Sequence, residues 1–242
     1  MEYKDIKPHV TLAPFIHSFW ELKGNDSDNQ WERIFPDGCP GLLINLGDSC
    51  KTDNGAVSMD HGKTYAVGAM TSFKDSFINA DTHLLGVCLK PGAFPNFYNY
   101  ASQHEITNNT VQFDTQLSFN IDEIIKDSYG YLNKFFANRL RDNSSPIQSV
   151  IEDIHNVNGQ LSIYDVAKKN CTTLRQLERN FKARIGLTPK EYAKIIRFQS
   201  VLSMITDKSK SLAEIAFECG FYDHAHLTNE IKKHTGLTPS QL

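Results

Sequence analysis

The side chains best spaced for chemistry in this 242-residue chain lie between residues 173 and 182. This group consists of Thr173, Arg175, Gln176, Arg179 and Lys182. Arginine and glutamine form paired hydrogen bonds with the edges of guanine and adenine, and threonine suits a phosphate or a thymine methyl group. The first group is therefore suited to contacting a nucleic acid.

A second group lies about fifty residues further along the chain. It contains His224, His226 and Asn229, followed by Lys232 and Lys233, which we expect near a phosphate backbone. Two histidines two positions apart on a helix point about 200° away from each other, so they are poorly placed to chelate an ion. We therefore predict polar contacts here and no metal site.

Helical spacing predicts how the first group is presented. Leu177 and Phe181 stand four residues apart, which places both on the buried face of one helix. The polar side chains of the group then point at least partly outward. A solvated surface residue is the alternative interpretation for each of them.

A repeat shows that this helix belongs to a unit used twice. Gly186-Leu187-Thr188-Pro189 returns as Gly236-Leu237-Thr238-Pro239, fifty residues later. Apolar positions precede both copies at matching spacings, and Ala167 has its counterpart in Ala216. Two small alanines allow short helices to cross closely, so the pattern is typical of a helix-turn-helix unit.

Turn and capping residues mark the ends of these helices. Gly220 permits the positive φ of a tight turn, and Asn170 is the next best residue for the equivalent turn of the first copy. Ser211 with a glutamate three residues later forms a capping-box pattern, and Thr173 opens a similar one. Thr188 and Pro189 start a helix, roughly from 190 to 205, that joins the two units.

Together these motifs resemble the AraC-type transcription regulators. The matching residues are Arg175-x-Leu177-x-Arg179-x-Phe181, Gly186-Leu187-Thr188-Pro189-x-x-Tyr192, Arg197, Ile215-Ala216-x-x-x-Gly220-Phe221 and Gly236-x-Thr238-Pro239. The resemblance implies seven helices, with recognition helices at Thr173 to Arg184 and Asp223 to His234. It also implies that arginine is usual where Asn229 stands and serine where Ala225 stands.

The two units differ in charge. Residues 161 to 208 contain ten Lys or Arg and four acidic residues, a net charge of +6, whereas residues 209 to 242 carry −1. Phosphate contacts from Lys and Arg supply most non-specific affinity for DNA. We therefore expect the first unit to anchor the protein, the second to add weaker or more sequence-dependent contacts, and Arg179→Ala to cost more than Asn229→Ala.

The front half of the chain predicts a β-rich domain. Alternating and apolar runs, separated by turn residues, suggest strands at Phe15–Leu22, Trp31–Phe35, Gly41–Leu46, Thr64–Val67, Phe73–Ile78 and Leu84–Leu89. The turn at Pro36-Asp37-Gly38 and the segment Val87 to Ala93 resemble the cupin-like sensor domain found before AraC-type units. The fold class is therefore α+β, with a cupin-like β-barrel or sandwich followed by an all-α domain.

A helical segment and a polar linker complete the domain organisation. From about residue 93 the spacing becomes helical, through Leu117, Ile121 and Ile124 to Leu140. The stretch from Arg141 to Pro146 is polar and ends in proline. We place the sensor domain at residues 1–145 and the DNA-binding domain at residues 146–242.

Ligand chemistry in the front domain is less well specified. Trp20, Trp31, Phe35 and Tyr65 could line a small-molecule effector site or form ordinary core. No His-x-His pair occurs among residues 1 to 160, and the five cysteines form no C-x-x-C motif. We therefore expect no metal, no cofactor and no enzyme, with Cys171 and Cys219 as buried structural residues.

Three functions remain open at this stage. The first is a ligand-responsive transcription regulator that binds promoter double-stranded DNA, with RNA polymerase as a partner if it activates transcription. The family resemblance implies that a homodimer can form through the front domain, although a chain with two recognition helices does not need one to bind DNA. The second is DNA-alkylation repair, which is disfavoured because no cysteine cluster precedes the helical units. The third is a protein-interaction factor with a decayed DNA-binding surface. The absence of a signal sequence or long apolar stretch favours a cytoplasmic protein without a membrane segment.

Overall fold

The computed structural model describes residues 1–99, 102–113, 118–141, 147–207 and 210–242. Strands dominate the part of the chain before residue 113, and helices dominate the rest. The strands are β1 (Glu2–Ile6), β2 (Ile16–Lys23), β3 (Asn29–Ile34), β4 (Gly41–Asn45), β5 (Cys50–Thr52), β6 (Val57–Met59), β7 (Thr64–Val67), β8 (Lys74–Asn79), β9 (His83–Leu89) and β10 (Thr110–Gln112). All six strands expected from the sequence are present, with ends shifted by at most two residues.

A six-stranded antiparallel sheet organises the front domain. Its strand order is β1-β2-β9-β4-β7-β10, and the pairs β3-β8 and β5-β6 form two further ribbons. Leu42 and Ile44 pack on one face of this sheet and Leu43 on the other. Both faces are therefore buried, which explains why β4 is apolar at consecutive positions instead of alternating.

Two helices cover the first face of the sheet. These are α1 (Ile121–Lys126) and α2 (Ser128–Arg139), and Phe136 of α2 packs against Phe19 and Phe97. The expectation of helix from residue 93 onward is wrong before residue 121. The described residues of that stretch contain short 3-10 turns at Phe94–Asn96 and Gln103–Ile106 and then β10, which pairs with β7. Leu117 and the linker residues 142–146 lie outside the described part of the chain.

In its described residues, the second domain contains six α-helices and a terminal 3-10 turn. They are α3 (Gln148–Asn156), α4 (Ile163–Lys169), α5 (Leu174–Arg184), α6 (Pro189–Asp207), α7 (Leu212–Glu218) and α8 (His224–Thr235), followed by the turn Pro239–Gln241. Ala167 and Ala216 are both buried in the two helix-turn-helix cores. No helix in the described residues is long and apolar enough to cross a membrane.

The predicted caps form, with one correction at a turn. The Ser211 hydroxyl accepts the Glu214 N–H at 3.3 Å, and the Glu214 carboxylate accepts the Ser211 N–H at 2.8 Å. In the first unit the positive φ falls on Cys171, at 51°, and not on Asn170. Cys171 is the true counterpart of Gly220, and it is exposed, so its expected burial is also wrong.

Candidate nucleic-acid interface

Helix α5 presents the first group of predicted side chains to solvent. Leu177 and Phe181 are buried, whereas Arg175 and Arg179 are exposed. The hydroxyl of Thr173 accepts the backbone N–H of Gln176 at 3.2 Å and caps the helix. Thr173 therefore has a structural role in addition to any contact with a phosphate.

A hydrogen-bonded row orders the middle of this helix. Arg179 donates from Nη2 to Gln176 Oε1 at 2.7 Å, and Gln176 donates from Nε2 to Asn180 Oδ1 at 3.0 Å. Arg175, Arg179 and Lys182 take part in no salt bridge within the described residues. Their charges are therefore available to an anionic partner.

Helix α8 presents a less charged surface. Asp223 caps it by accepting the His226 N–H at 2.7 Å, and His224 and Asn229 are exposed. The His226 ring contacts Phe221 edge-on at 5.3 Å, and Arg197 of α6 lies over the same Phe221 ring at 4.5 Å. Arg197, singled out by the family motif, therefore connects α6 to the second unit.

The remaining charges of α8 lie at its end. Lys232 and Lys233 are exposed in the last turn, where cations favour the helix dipole. Glu230 pairs with Lys194 of α6 at 3.5 Å. Burial opposes ionisation of Glu230, but Lys194 and His234 outweigh it and lower the pKa of this carboxyl.

Two exposed aromatic residues in the second unit were missed by sequence reasoning. Phe217 is 85% exposed and Tyr222 is 93% exposed. Single exposed apolar side chains are common on protein surfaces, and it is contiguous apolar patches that mark interaction surfaces. The helical period of α7 contained the signal, because Phe217 falls outside the stripe defined by Ile215 and Ala216.

The front domain holds the first Gly-Leu-Thr-Pro turn. Thr107 donates from its hydroxyl to the Gly186 carbonyl at 2.8 Å, and His104 Nδ1 donates to the same oxygen at 2.9 Å. Gly186 has φ +92°, and a Cβ there would lie 2.7 Å from Thr107 Oγ1 and 2.9 Å from the Gln103 carbonyl oxygen. Only glycine fits this contact.

The second turn is held in an equivalent way. Arg33 of β3 donates from Nη1 to the Thr235 carbonyl at 3.1 Å, and His234 Nδ1 donates to the Thr71 carbonyl at 2.7 Å. Gly236 has φ +71°, and a Cβ there would lie 2.7 Å from the Phe73 ring. The front domain therefore contacts the C-terminal ends of both α5 and α8.

A cleft of about 1230 Å³ lies between the two domains. The front domain lines it with His17, Asp37, Cys39, Cys88 and Lys90, and the second domain with Ile151, His155, Tyr192, Ile196 and Gln199. His155 Nε2 accepts the Tyr192 hydroxyl at 2.8 Å. Burial lowers the pKa of His155 and raises that of Tyr192, which favours this neutral pair.

The four aromatic residues predicted to line an effector site do not converge on this cleft. Trp20 lies against Gly86, and Tyr65 is buried in the small second core. Trp31 pairs with Phe77 on the β3-β8 ribbon, while Phe35 packs against Phe198 of α6. Trp20 and Tyr65 belong to the same cluster on one face of the six-stranded sheet, whereas Trp31 and Phe35 pack elsewhere, so the four side chains do not line one shared pocket.

One wall of the cleft brings together three metal-ligating side chains. The ligand atoms of Asp37, Cys39 and Cys88 all lie within 4.8 Å of one another. The Cys88 thiol, burial and the Asp37 carboxylate raise the pKa of Cys39, and desolvation raises the pKa of Asp37. Sequence spacing gave no sign of this cluster, because Cys39 and Cys88 are 49 residues apart.

Two sequence families match this chain. A profile of a domain of unknown function, DUF6597, matches residues 4–112, and a helix-turn-helix domain profile matches residues 166–242. The chain is 30% identical over 94 residues to the HTH-type transcriptional regulator ArgR of Pseudomonas aeruginosa, which covers 39% of this chain and 29% of ArgR. It is 30% identical over 77 residues to the HTH-type transcriptional activator RhaS of Escherichia fergusonii, covering 32% and 28% of the two chains. The match spans less than a third of either relative.

Solved structures show that the whole architecture has a precedent. A structure of ToxT from Vibrio cholerae superimposes with a TM-score of 0.53 and 11% identity, covering 100% of this chain and 97% of ToxT. This likeness shows a shared two-domain fold. The part of the chain at residues 166–242 is thus a helix-turn-helix domain, similar in sequence to those of the transcriptional regulators ArgR and RhaS, as the AraC-type motifs predict.

Proposed function

We propose that this chain is a sequence-specific DNA-binding transcription regulator controlled by a ligand bound between its domains. The observation that carries the proposal is that Arg175 and Arg179 are exposed on α5 of an AraC-type unit and make no salt bridge with the described residues. The net charge of +6 over residues 161 to 208 supports phosphate binding by the same unit. The relatives are transcriptional regulators, which supports a role without catalysis.

In this proposal α5 enters the major groove with Arg175, Gln176 and Arg179 towards the base edges. Lys182 and the Thr173 end of the helix contact phosphates. Helix α8 contacts a second groove through His224, His226 and Asn229, with Lys232 and Lys233 near its backbone. One chain with two such helices could contact successive turns of B-DNA, about 34 Å apart. A regulator of chromosomal DNA would act in the cytoplasm.

Control by a ligand is supported by the contacts between the domains. The front domain contacts the turns at Gly186 and Gly236, and the cleft lies between it and α3 and α6. A ligand that binds the cleft better in one arrangement shifts the domains toward that arrangement. One ToxT structure holds an unsaturated fatty acid, which supports small-molecule control on this fold.

Selection from a random DNA library with the purified full chain tests the proposal. The best site is then titrated at several salt concentrations with the wild type, Arg179→Ala and a charge-matched control, Lys134→Ala, on the exposed face of α2. We expect a discrete motif, affinity that falls steeply with salt, and loss of binding in Arg179→Ala alone. Weak binding without a motif, unchanged in Arg179→Ala, would refute the proposal.

The exposed pair Phe217 and Tyr222 favours a second candidate, a protein-interaction role for the second unit. RNA polymerase would be the partner if the protein activates transcription. Replacing both aromatics with serine should then leave DNA affinity unchanged and reduce transcription from the selected promoter in a reconstituted assay. A loss of DNA affinity would assign the two side chains to DNA instead. Homodimerisation stays a prediction that mass measurement in solution can test.

A further inference from the structure

We propose that Asp37, Cys39 and Cys88 bind one thiophilic divalent metal ion, such as Zn²⁺, on the front-domain wall of the cleft. Their ligand atoms lie within 4.8 Å of one another. Two thiolates and a carboxylate form a donor set that zinc accepts and that Mg²⁺ and Ca²⁺ do not prefer. Binding displaces the thiol protons, and the ion neutralises the resulting negative charge.

The local structure holds these donors together. Asp37 and Cys39 lie on the loop between β3 and β4, and the Asp37 carboxylate accepts the Cys39 N–H at 2.8 Å. Cys88 projects from β9 beside this loop. His17 stands at the irregularity where β2 changes register between Ile16 and Ser18, and it lines the same cleft.

The strand register favours an ion over a direct disulfide. Gly41 pairs with Cys88, and the Leu89 N–H donates to the Pro40 carbonyl, so Cys39 lies diagonally from Cys88. Diagonal neighbours on paired strands are about 7–8 Å apart at Cα, whereas disulfides usually span less than about 6.8 Å. Two thiolates bound to one zinc ion at about 2.3 Å each lie ~3.8 Å apart, which suits the longer span.

The position of the site predicts an effect on DNA binding, a step that rests on the proposed function. A Cβ on Gly38 would lie 2.7 Å from the Tyr192 ring of α6, so the ligand loop packs directly on this helix. Gln199 of α6 donates to the Pro36 carbonyl of the same loop. Helix α6 joins the two helix-turn-helix units. A metal ion that orders the loop between β3 and β4 therefore changes how the front domain packs on α6, and with it the placement of both units.

Titration of the reduced full chain with Co²⁺ tests the site without DNA. We expect one Co²⁺ per chain, with a thiolate-to-metal charge-transfer band that Zn²⁺ abolishes by displacement. Cys39→Ser and Cys88→Ser should lose the band, while Cys171→Ser, which removes an exposed thiol elsewhere, should keep it. Asp37→Asn keeps an acceptor for the Cys39 N–H and should weaken affinity at least about tenfold without changing the fold.

Failure of the site and failure of the proposed function give different results. No thiolate band, a band that survives Cys39→Ser and Cys88→Ser, or a Cys39–Cys88 disulfide in place of metal binding would each overturn the metal site. Affinity for the selected DNA is then compared with Zn²⁺ and with a chelator, where we expect a change of at least about fivefold that Cys88→Ser removes. A metal-binding protein with no selected DNA motif would keep the site and refute the regulator function.

Discussion

The two helix-turn-helix units share the same helix packing, turns and caps, but their exposed side chains differ. Both have a buried alanine, a residue with positive φ at the turn, a capped second helix and a Gly-Leu-Thr-Pro segment held by the front domain. The first has exposed arginines on α5, whereas the second has histidines and an asparagine at the corresponding surface of α8. Packing constrains the buried and turn residues of such a unit. Its exposed residues are not constrained in this way, so the two units can carry different surface side chains and different roles.

The hydrophobic cores differ as well. Among the described residues, the core around the first unit has fourteen buried residues of the helical domain, which include Phe181 and Tyr192 and extend into α3, together with Ala69 of the front domain. The core of the second has seven. A smaller core leaves less margin of stability, so contacts from outside the unit matter more. We therefore expect the second unit to depend more on Arg197, Arg33 and His234 for its position.

The largest expected difference between the two units is in the DNA affinity lost when one exposed side chain of each is removed. Arg179→Ala should weaken binding to the selected site by about 10- to 100-fold, because it removes a charged contact to a base or phosphate. Asn229→Ala should cost less than about threefold. Fluorescence anisotropy at one fixed salt concentration measures both. Equal losses for the two variants would contradict the assignment of the first unit as anchor.

The free energy of unfolding should depend on the two turns, at Gly186 and Gly236, that contact the front domain. Gly186→Ala and Gly236→Ala impose a positive φ on a side chain and clash with the front domain, so each should lose at least ~2 kcal/mol of unfolding free energy. Gly55→Ala is the matched control, since Gly55 has φ +89° but only an ordinary contact at 3.5 Å with Trp31. It should lose about 1 kcal/mol. Urea unfolding compares the three, and equal losses would argue against the docked arrangement in solution.

The salt dependence of DNA binding should show how many phosphate contacts each of the two units makes. Lys182→Gln should reduce the slope of log affinity against log salt by about 0.9, the value for one phosphate contact. Lys232→Gln should have a smaller effect if the second unit contacts the backbone less closely. Titrations at four or more salt concentrations give both slopes. A larger change for Lys232→Gln would reverse the order of the two units.

The smallest expected effect is a pH dependence of the second docking contact. Burial lowers the pKa of His234, although the Thr71 carbonyl and Glu230 oppose the shift, and Lys233 and Lys194 add to it. The unfolded chain therefore takes up a proton more readily than the folded one. The contribution of His234 is complete above the ordinary histidine pKa of about 6.5 and is lost as the pH falls below it.

His155 shifts in the same direction, so a variant must separate the two histidines. Urea midpoints at about pH 7.5 and about pH 5.5 should differ more for the wild type than for His234→Gln. The residual difference belongs to His155 and other groups. An unchanged difference in the variant would show that His234 does not contribute.

The sequence alone predicted many of the helices, caps and strands, because the signals for these elements are local. Apolar residues at three- and four-residue steps located α5 and α8, capping residues fixed their starts, and six strands were found within two residues of their ends. It misassigned the turn at Cys171, because a cysteine with positive φ has no compositional signature. It also missed β10, whose three residues become a strand only by pairing with β7.

The amino-acid sequence by itself determined the helix-turn-helix repeat, its caps and the charge difference between its units, since these depend on neighbours within a few turns of helix. Only the tertiary structure decided which distant side chains meet. Strand pairing brought Cys88 beside Asp37 and Cys39, and domain docking placed Gly186 and Gly236 against the front domain. It also brought Trp20 and Tyr65 into one cluster and placed Trp31 and Phe35 elsewhere, because sheet order and register depend on contacts between residues far apart in the chain.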